Sequence, residues 1–120
     1  MSKHPIVHIE FSAKDLDASA KSYQELFGWK FDPDLQLNYA SFETGEGVGG
    51  GLNPVQENYP PGTVLVYVGT EDIDATLARV ERLGGKVLVP KTEIPGIGWF
   101  GIFSDLSENQ VGLFTGTSQG

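Results

Sequence analysis

The chain has no cysteine, one methionine and two histidines among its 120 residues. Without cysteine it has no disulfides, thiolate zinc sites, iron–sulfur clusters or cysteine nucleophiles. Positive charge is also scarce: 8 Lys and Arg stand against 16 Asp and Glu, a formal net charge of −8. That balance argues against nucleic acid or an anionic membrane surface as a partner. No apolar run is long enough for a signal peptide core or a spanning helix, so a cytoplasmic protein with no membrane partner is expected. What is present is globular in kind. With 39% hydrophobic and 11% aromatic residues, the sequence can bury a core, and its length suits a single domain over 1–120.

Alternation opens the chain. In residues 6–12, Val7, Ile9 and Phe11 take one face of a strand, and His8, Glu10 and Ser12 take the other. Leu16, Ala20, Tyr23, Leu26 and Phe27 then recur at helical spacing, with Ser12 or Asp15 as the cap and Gly28 as the stop. Strands are predicted at 29–31 and 38–43, and a glycine-dense hairpin at 45–51 leads into a fourth strand ending near Asn53. The Pro-rich stretch 54–62 reads as a linker. After it come a strand at 63–68, a helix at 73–83 stopped by Gly84-Gly85, and strands at 86–89, 98–103 and 110–114.

The second half repeats the first. At an offset of 57, Asp15, Asp17, Ala18, Leu26 and Gly28 match Asp72, Asp74, Ala75, Leu83 and Gly85. The order of elements matches as well. We expect two tandem βαβββ modules, about 5–53 and about 63–115, forming an α+β fold with a curved eight-stranded sheet around a cleft. On strand parity the cleft receives His8, Glu10 and Ser12, and Thr63, Leu65 and Tyr67.

The glycines at 45, 47 and 50 match G-x-G-x-x-G, yet they lead into Leu52-Asn53-Pro54, which does not open a helix as a dinucleotide site requires. They are read as allowing a tight turn and a close backbone approach. In Ser104–Asn109, Asp105 and Asn109 are expected to make a turn by side-chain bonding to the backbone.

The opening His-x-Glu strand, the helix that runs from Asp15-Leu16 to Leu26-Phe27-Gly28-Trp29, and the later Asp72-x-Asp74-Ala75 to Leu83-Gly84-Gly85 carry a resemblance. Over residues 6–114 the chain resembles the vicinal-oxygen-chelate superfamily of glyoxalases, bleomycin-resistance proteins and extradiol dioxygenases. The resemblance implies a homodimer. It also implies four metal-ligand positions, which here read His8, Gly51, Thr63 (or Leu65) and Gly112. Two glycines and a threonine cannot supply the three protein ligands a catalytic ion needs, so no metal or other cofactor is expected. His4, in an N-terminus expected to fray, does not make up the shortfall.

Two function classes remain. One is metal-free binding of a small molecule in an aromatic cleft. Tyr67, Trp99 and Phe114 would stack on the ligand, with Phe100 as the alternative to Trp99, while His8, Glu10 and Thr63 orient its polar groups. The other is a glyoxalase-like enzyme, a lyase, isomerase or dioxygenase, with His8 and Glu10 as catalytic groups and with or without a divalent metal. For that pair the plainer expectation is a mutual hydrogen bond that fixes the strand.

Overall fold

The computed structural model describes residues 3–34 and 36–116. The elements run β1 (Ile6–Ala13), α1 (Leu16–Phe27), β2 (Lys30–Asp34), β3 (Tyr39–Glu43), β4 (Gly50–Pro54), β5 (Val64–Gly69), α2 (Ile73–Arg82), β6 (Lys86–Ile94), β7 (Gly98–Ser104) and β8 (Gln110–Gly116). This is an α+β protein made of two βαβββ runs. It divides into two compact units: His8–Leu65, and the chain from Val66 onward together with its start through Val7.

In the first unit the strands lie in the order β2-β3-β4-β1, with β1 parallel to β4 and the other pairs antiparallel. Asp15 is the cap of α1: its carboxylate accepts the Ala18 N–H at 3.1 Å. Ser12 stays in β1, where its hydroxyl accepts from the Thr63 N–H. Gly28 ends the helix in the left-handed region at φ 73°, which costs glycine nothing. No residue of α1 is fully buried. The helix is held instead by stacked rings, Phe11 on Tyr23 at 5.7 Å, Tyr23 on Trp29 at 5.4 Å and Trp29 on Phe42 at 4.7 Å. Beneath them Ala13, Ala40 and Leu52 form a buried cluster. Phe11 therefore faces the helix, as its parity requires.

In the second unit the order is β5-β8-β7-β6, with β5 parallel to β8 and the rest antiparallel. Asp72 caps α2 as Asp15 caps α1, accepting the Ala75 N–H at 3.0 Å, so the repeat extends to the hydrogen bond. The stop differs by one residue: Gly84, not Gly85, takes positive φ. Ile73 and Leu77 are buried against Leu113, with Val68, Val87, Trp99 and Phe103 around them.

β6 continues to Ile94, past the expected end at Val89. Pro90 is accommodated because β6 is the outer strand, pairing with β7 alone, and its register shifts between Val87 and Thr92. The His4–Pro5 segment is also tied down. The Gly69 N–H donates to the Pro5 carbonyl at 2.8 Å, and His4 Nδ1 lies 3.2 Å from the Gly69 carbonyl. In the β7–β8 turn, Asp105 Oδ1 accepts the N–H groups of Ser107 and Asn109, both at 2.9 Å. These bonds, first among them those from Asn109, hold the Asp105 carboxyl below its ordinary pKa.

Candidate functional site

β1 alternates, so His8 and Glu10 share the face opposite Phe11. The strands beside it bring partners to that face. The register sets Glu10 against Gly51 and Ser12 against Asn53, and Ser41 of β3 against Gly51, which puts Tyr39 on the same face. His8 Nε2 lies 2.6 Å from the Tyr39 hydroxyl, and the two rings stack at 6.2 Å. Glu10 is 5% exposed. Asn53 Nδ2 donates to its Oε1 at 3.4 Å, and the Tyr39 and Tyr59 side chains act on its carboxyl as well.

This burial decides the electrostatics. Desolvation pushes the Glu10 carboxyl above its ordinary pKa, against the hydrogen bonds from Tyr39, Tyr59 and Asn53, which favour the ionised form. Desolvation also holds the His8 imidazole below its ordinary value. Both shifts favour the neutral form. The Tyr39 hydroxyl meets the His8 ring of the pair that the sequence brought to one face.

The two glycines at the expected ligand positions are both covered. A Cβ on Gly51 would run into the Tyr39 hydroxyl and ring, and a Cβ on Gly112 would run into the Tyr67 ring. A side chain reaching out from either position would need its tyrosine to leave. Among the described residues no group of three His, Asp or Glu side chains is placed to hold an ion. The residues present therefore do not fit a divalent centre of the kind the resemblance implies.

The other expected site residues divide between two faces. In the second unit Tyr67 pairs with Gly112, and Phe100 pairs with Phe114, so Tyr67, Phe100, Ile102 and Phe114 share the face away from α2. Trp99 does not join them: it packs on the Ile73–Leu77–Leu113 cluster beside α2, with the Lys91 ammonium 4.8 Å from its ring. Of the two aromatics left open, Phe100 is the one beside Phe114. In the first unit Thr63 is held locally, its hydroxyl donating to the Pro60 carbonyl at 2.7 Å.

Tyr39, Asn53 and Tyr59 were missed by the sequence reading. The alternation of Tyr39, Ser41 and Glu43 against Ala40 and Phe42 carried a signal for Tyr39. Tyr59 lies in the Pro-rich segment, where Gln56 and Tyr59 form an isolated bridge, and no periodicity marks it. A separate groove of about 350 Å³ in this unit is lined by Leu16, Ala20, Phe31, Pro33 and Tyr39 among others, and includes neither His8 nor Glu10.

A model of the Glyoxalase/Bleomycin resistance protein/Dioxygenase superfamily matches residues 5–113. The putative glyoxylase CFP32 of Mycobacterium tuberculosis is 35% identical over 114 residues, covering 88% of this chain and 43% of that protein. The anthracycline biosynthesis protein DnrV of Streptomyces peucetius is 29% identical over 114 residues, covering 80% of this chain and 41% of that protein. The chain thus spans about two fifths of the length of these curated relatives. The crystal structure of the hypothetical protein BH1468 from Bacillus halodurans C-125 aligns over 98% of both chains with a TM-score of 0.77 at 13% identity, a likeness of fold.

Proposed function

The chain belongs to the glyoxalase/bleomycin resistance protein/dioxygenase superfamily, and from that premise we propose that it binds a small organic molecule without the help of a divalent ion. The observation that carries this reading is the covering of Gly51 by Tyr39, which fills the space a second ligand side chain would need. His8, Tyr39 and Glu10 offer hydrogen-bonding groups in one unit. Tyr67, Phe100 and Phe114 offer flat apolar area on one face of the other. The net charge of −8 favours neutral or cationic ligands. The similarity to DnrV supports polycyclic aromatics as the first class to try.

The test is calorimetric titration with an aminoanthraquinone in EDTA. We expect binding that EDTA leaves unchanged and that Tyr67→Ala weakens by about tenfold, the size of about 1.4 kcal/mol. Binding that appears only with added Zn²⁺, Ni²⁺, Mn²⁺ or Fe²⁺ would overturn the reading.

A second reading, a glyoxalase-like lyase, isomerase or dioxygenase, is favoured by one observation: Glu10 is a buried carboxyl on the strand face it shares with the His8 imidazole, and burial pushes it above its ordinary pKa. On that reading Glu10→Gln abolishes turnover with the fold intact. A cytoplasmic homodimer belongs to the same proposal. Its support is the exposure of Leu26, Phe27, Leu83 and Leu106, and sedimentation checks it.

A further inference from the structure

The space between α1 and its sheet is filled unevenly. Rings hold the C-terminal half of the helix, where Tyr23 stacks on Phe11 and Trp29. The N-terminal half rests on small side chains. Leu16 and Ala20, only partly buried, pack on the cluster of Ala13, Ala40 and Leu52. Beside them lies the groove of about 350 Å³, lined from the sheet by Ala13, Phe31, Pro33, Ala40 and Pro54. The register brings these positions together, pairing Ala13 with Pro54 and Pro33 with Ala40. Ala13 has the parity of Phe11, so the groove lies on the helix side of the sheet, away from the face of His8 and Glu10.

The internal repeat supplies a control. At the offset of 57, Leu16 and Ala20 correspond to Ile73 and Leu77. Those two are 0% and 6% exposed, and both belong to the cluster with Leu113. Where α2 sends a leucine side chain toward its sheet, α1 sends a single methyl group. The opening under α1 therefore follows from Ala20, and it leaves apolar surface that a ligand would gain by covering. Its volume falls in the range of small-molecule pockets.

The charge around the groove selects among ligands. Asp15 and Asp17 at the start of α1 and Asp34 at the end of β2 line it, against the one ammonium of Lys14. The first two stand at the helix N-terminus, where they answer the positive end of the helix dipole. Asp34 has no such partner in α1. Its Oδ1 accepts the Gln36 and Leu37 N–H groups at 3.0 and 3.1 Å, which holds its charge at the groove.

We propose that this groove is a second binding site, and that it takes an organic ammonium ion with a bicyclic apolar body. The body covers Ala13, Ala20 and Ala40, and the ammonium sits at Asp34. Charge complementarity decides the occupant. An anion is repelled by three carboxylates, and a neutral body gains the apolar cover alone. An ammonium adds N–H donors that suit a carboxylate. The site goes beyond the ligand proposed above and does not depend on it, because it uses neither His8, Glu10 nor the face they share.

The test is a titration of the full chain with 1-naphthylmethylammonium, followed by calorimetry and by backbone amide shifts. Shifts should centre on Leu16, Ala20 and Ala40, and the affinity should fall as salt rises. The neutral analogue 1-naphthylmethanol should bind about tenfold more weakly, and 1-naphthoate should not bind. Asp34→Asn keeps the oxygen that accepts from Gln36 and Leu37 and loses the charge, so it should bring the ammonium down to the affinity of the alcohol. Ala20→Leu copies Leu77; it should abolish saturable binding and raise the melting temperature. No saturable binding at millimolar concentration, equal affinity for ammonium and alcohol, or shifts centred away from α1 would overturn the proposal. So would binding that Ala20→Leu leaves unchanged. Should Ala20→Leu fail to fold, Asp34→Asn and the alcohol decide, and an affinity for the ammonium that Asp34→Asn does not lower counts against the site.

Discussion

The two units share a plan and differ in what they bury. Each starts its helix from an aspartate that caps the N–H three residues on, and each lays a tyrosine over a glycine. The first fastens its helix with a stack of rings built on Phe11, Tyr23, Trp29 and Phe42. The second uses an aliphatic plug of Ile73, Leu77 and Leu113. Among the described residues only the first places a carboxyl side chain in its interior, at Glu10. The matched tyrosines are not a relic of the duplication. Tyr39 comes from β3 and lies over β4, whereas Tyr67 comes from β5 and lies over β8. Two routes lead to one arrangement, which argues that the covered glycine matters more than the residue that covers it.

The largest expected effect tests the two ways of fastening a helix. Phe42→Ala removes a ring that touches Phe11, Trp29 and Phe31 and should cost about 3–5 kcal/mol. Ile73→Ala opens the fully buried centre of the plug and should cost about 2–5 kcal/mol. Urea unfolding measures both. A loss below about 1 kcal/mol at either position would mean that the unit is held by something else.

Next in size is a contrast between glycines. A Cβ on Gly112 meets the Tyr67 side chain, which has to shift, so Gly112→Ala should cost about 1–3 kcal/mol. A Cβ on Gly50 meets the Ile9 backbone carbonyl, and no side chain can move aside for it. Gly50→Ala should therefore melt at a clearly lower temperature than Gly112→Ala. Equal melting points would show that β1 and β4 part more easily than their register implies.

The smallest effect is a change of slope with pH, and only the first unit supplies it. A carboxyl whose folded pKa is raised makes the folded state bind its proton more tightly, so its contribution is lost as pH rises above the ordinary value of 4.5. An imidazole whose folded pKa is lowered works the other way, adding stability as pH rises toward 6.5. Glu10→Gln removes the carboxyl's contribution and leaves that of the imidazole. Its stability relative to wild type should therefore improve as pH rises from 4.5 toward neutrality, as measured by urea midpoints across a pH series. A difference that stays flat would mean that Glu10 is as well solvated folded as unfolded.

Much of the fold was legible because it rests on local rules. Asp15 and Asp72 before helical periods, and glycine after them, are signals that tertiary packing rarely overrides. The glycines at 45 and 47 do take positive φ, and the close approach they introduce is that of Gly50 to β1. Pro90 misled the strand boundary, because whether a proline ends a strand depends on which strand is outermost. The site was half legible. Parity brought His8 and Glu10 to one face, but the hydroxyl that meets His8 comes from a strand 31 residues on. Register between strands selects Tyr39 and Phe100, and a single sequence does not state it. Tyr59 reaches Glu10 from a segment with no period at all.

The prolines in the two outermost strands have a further consequence. Pro33 lies in β2 and Pro90 in β6, each at the free margin of its unit's strand order, in company with Lys30, Asp32, Asp34, Lys86 and Lys91. A strand lacking an amide hydrogen and flanked by charge is a poor template for another strand. Both margins are thus blunted against growth by strand addition, the route by which β-rich proteins form fibrils and swapped ribbons. Copies of this chain that meet are steered toward contacts between side chains, where complementarity sets a limit, and away from open-ended backbone pairing.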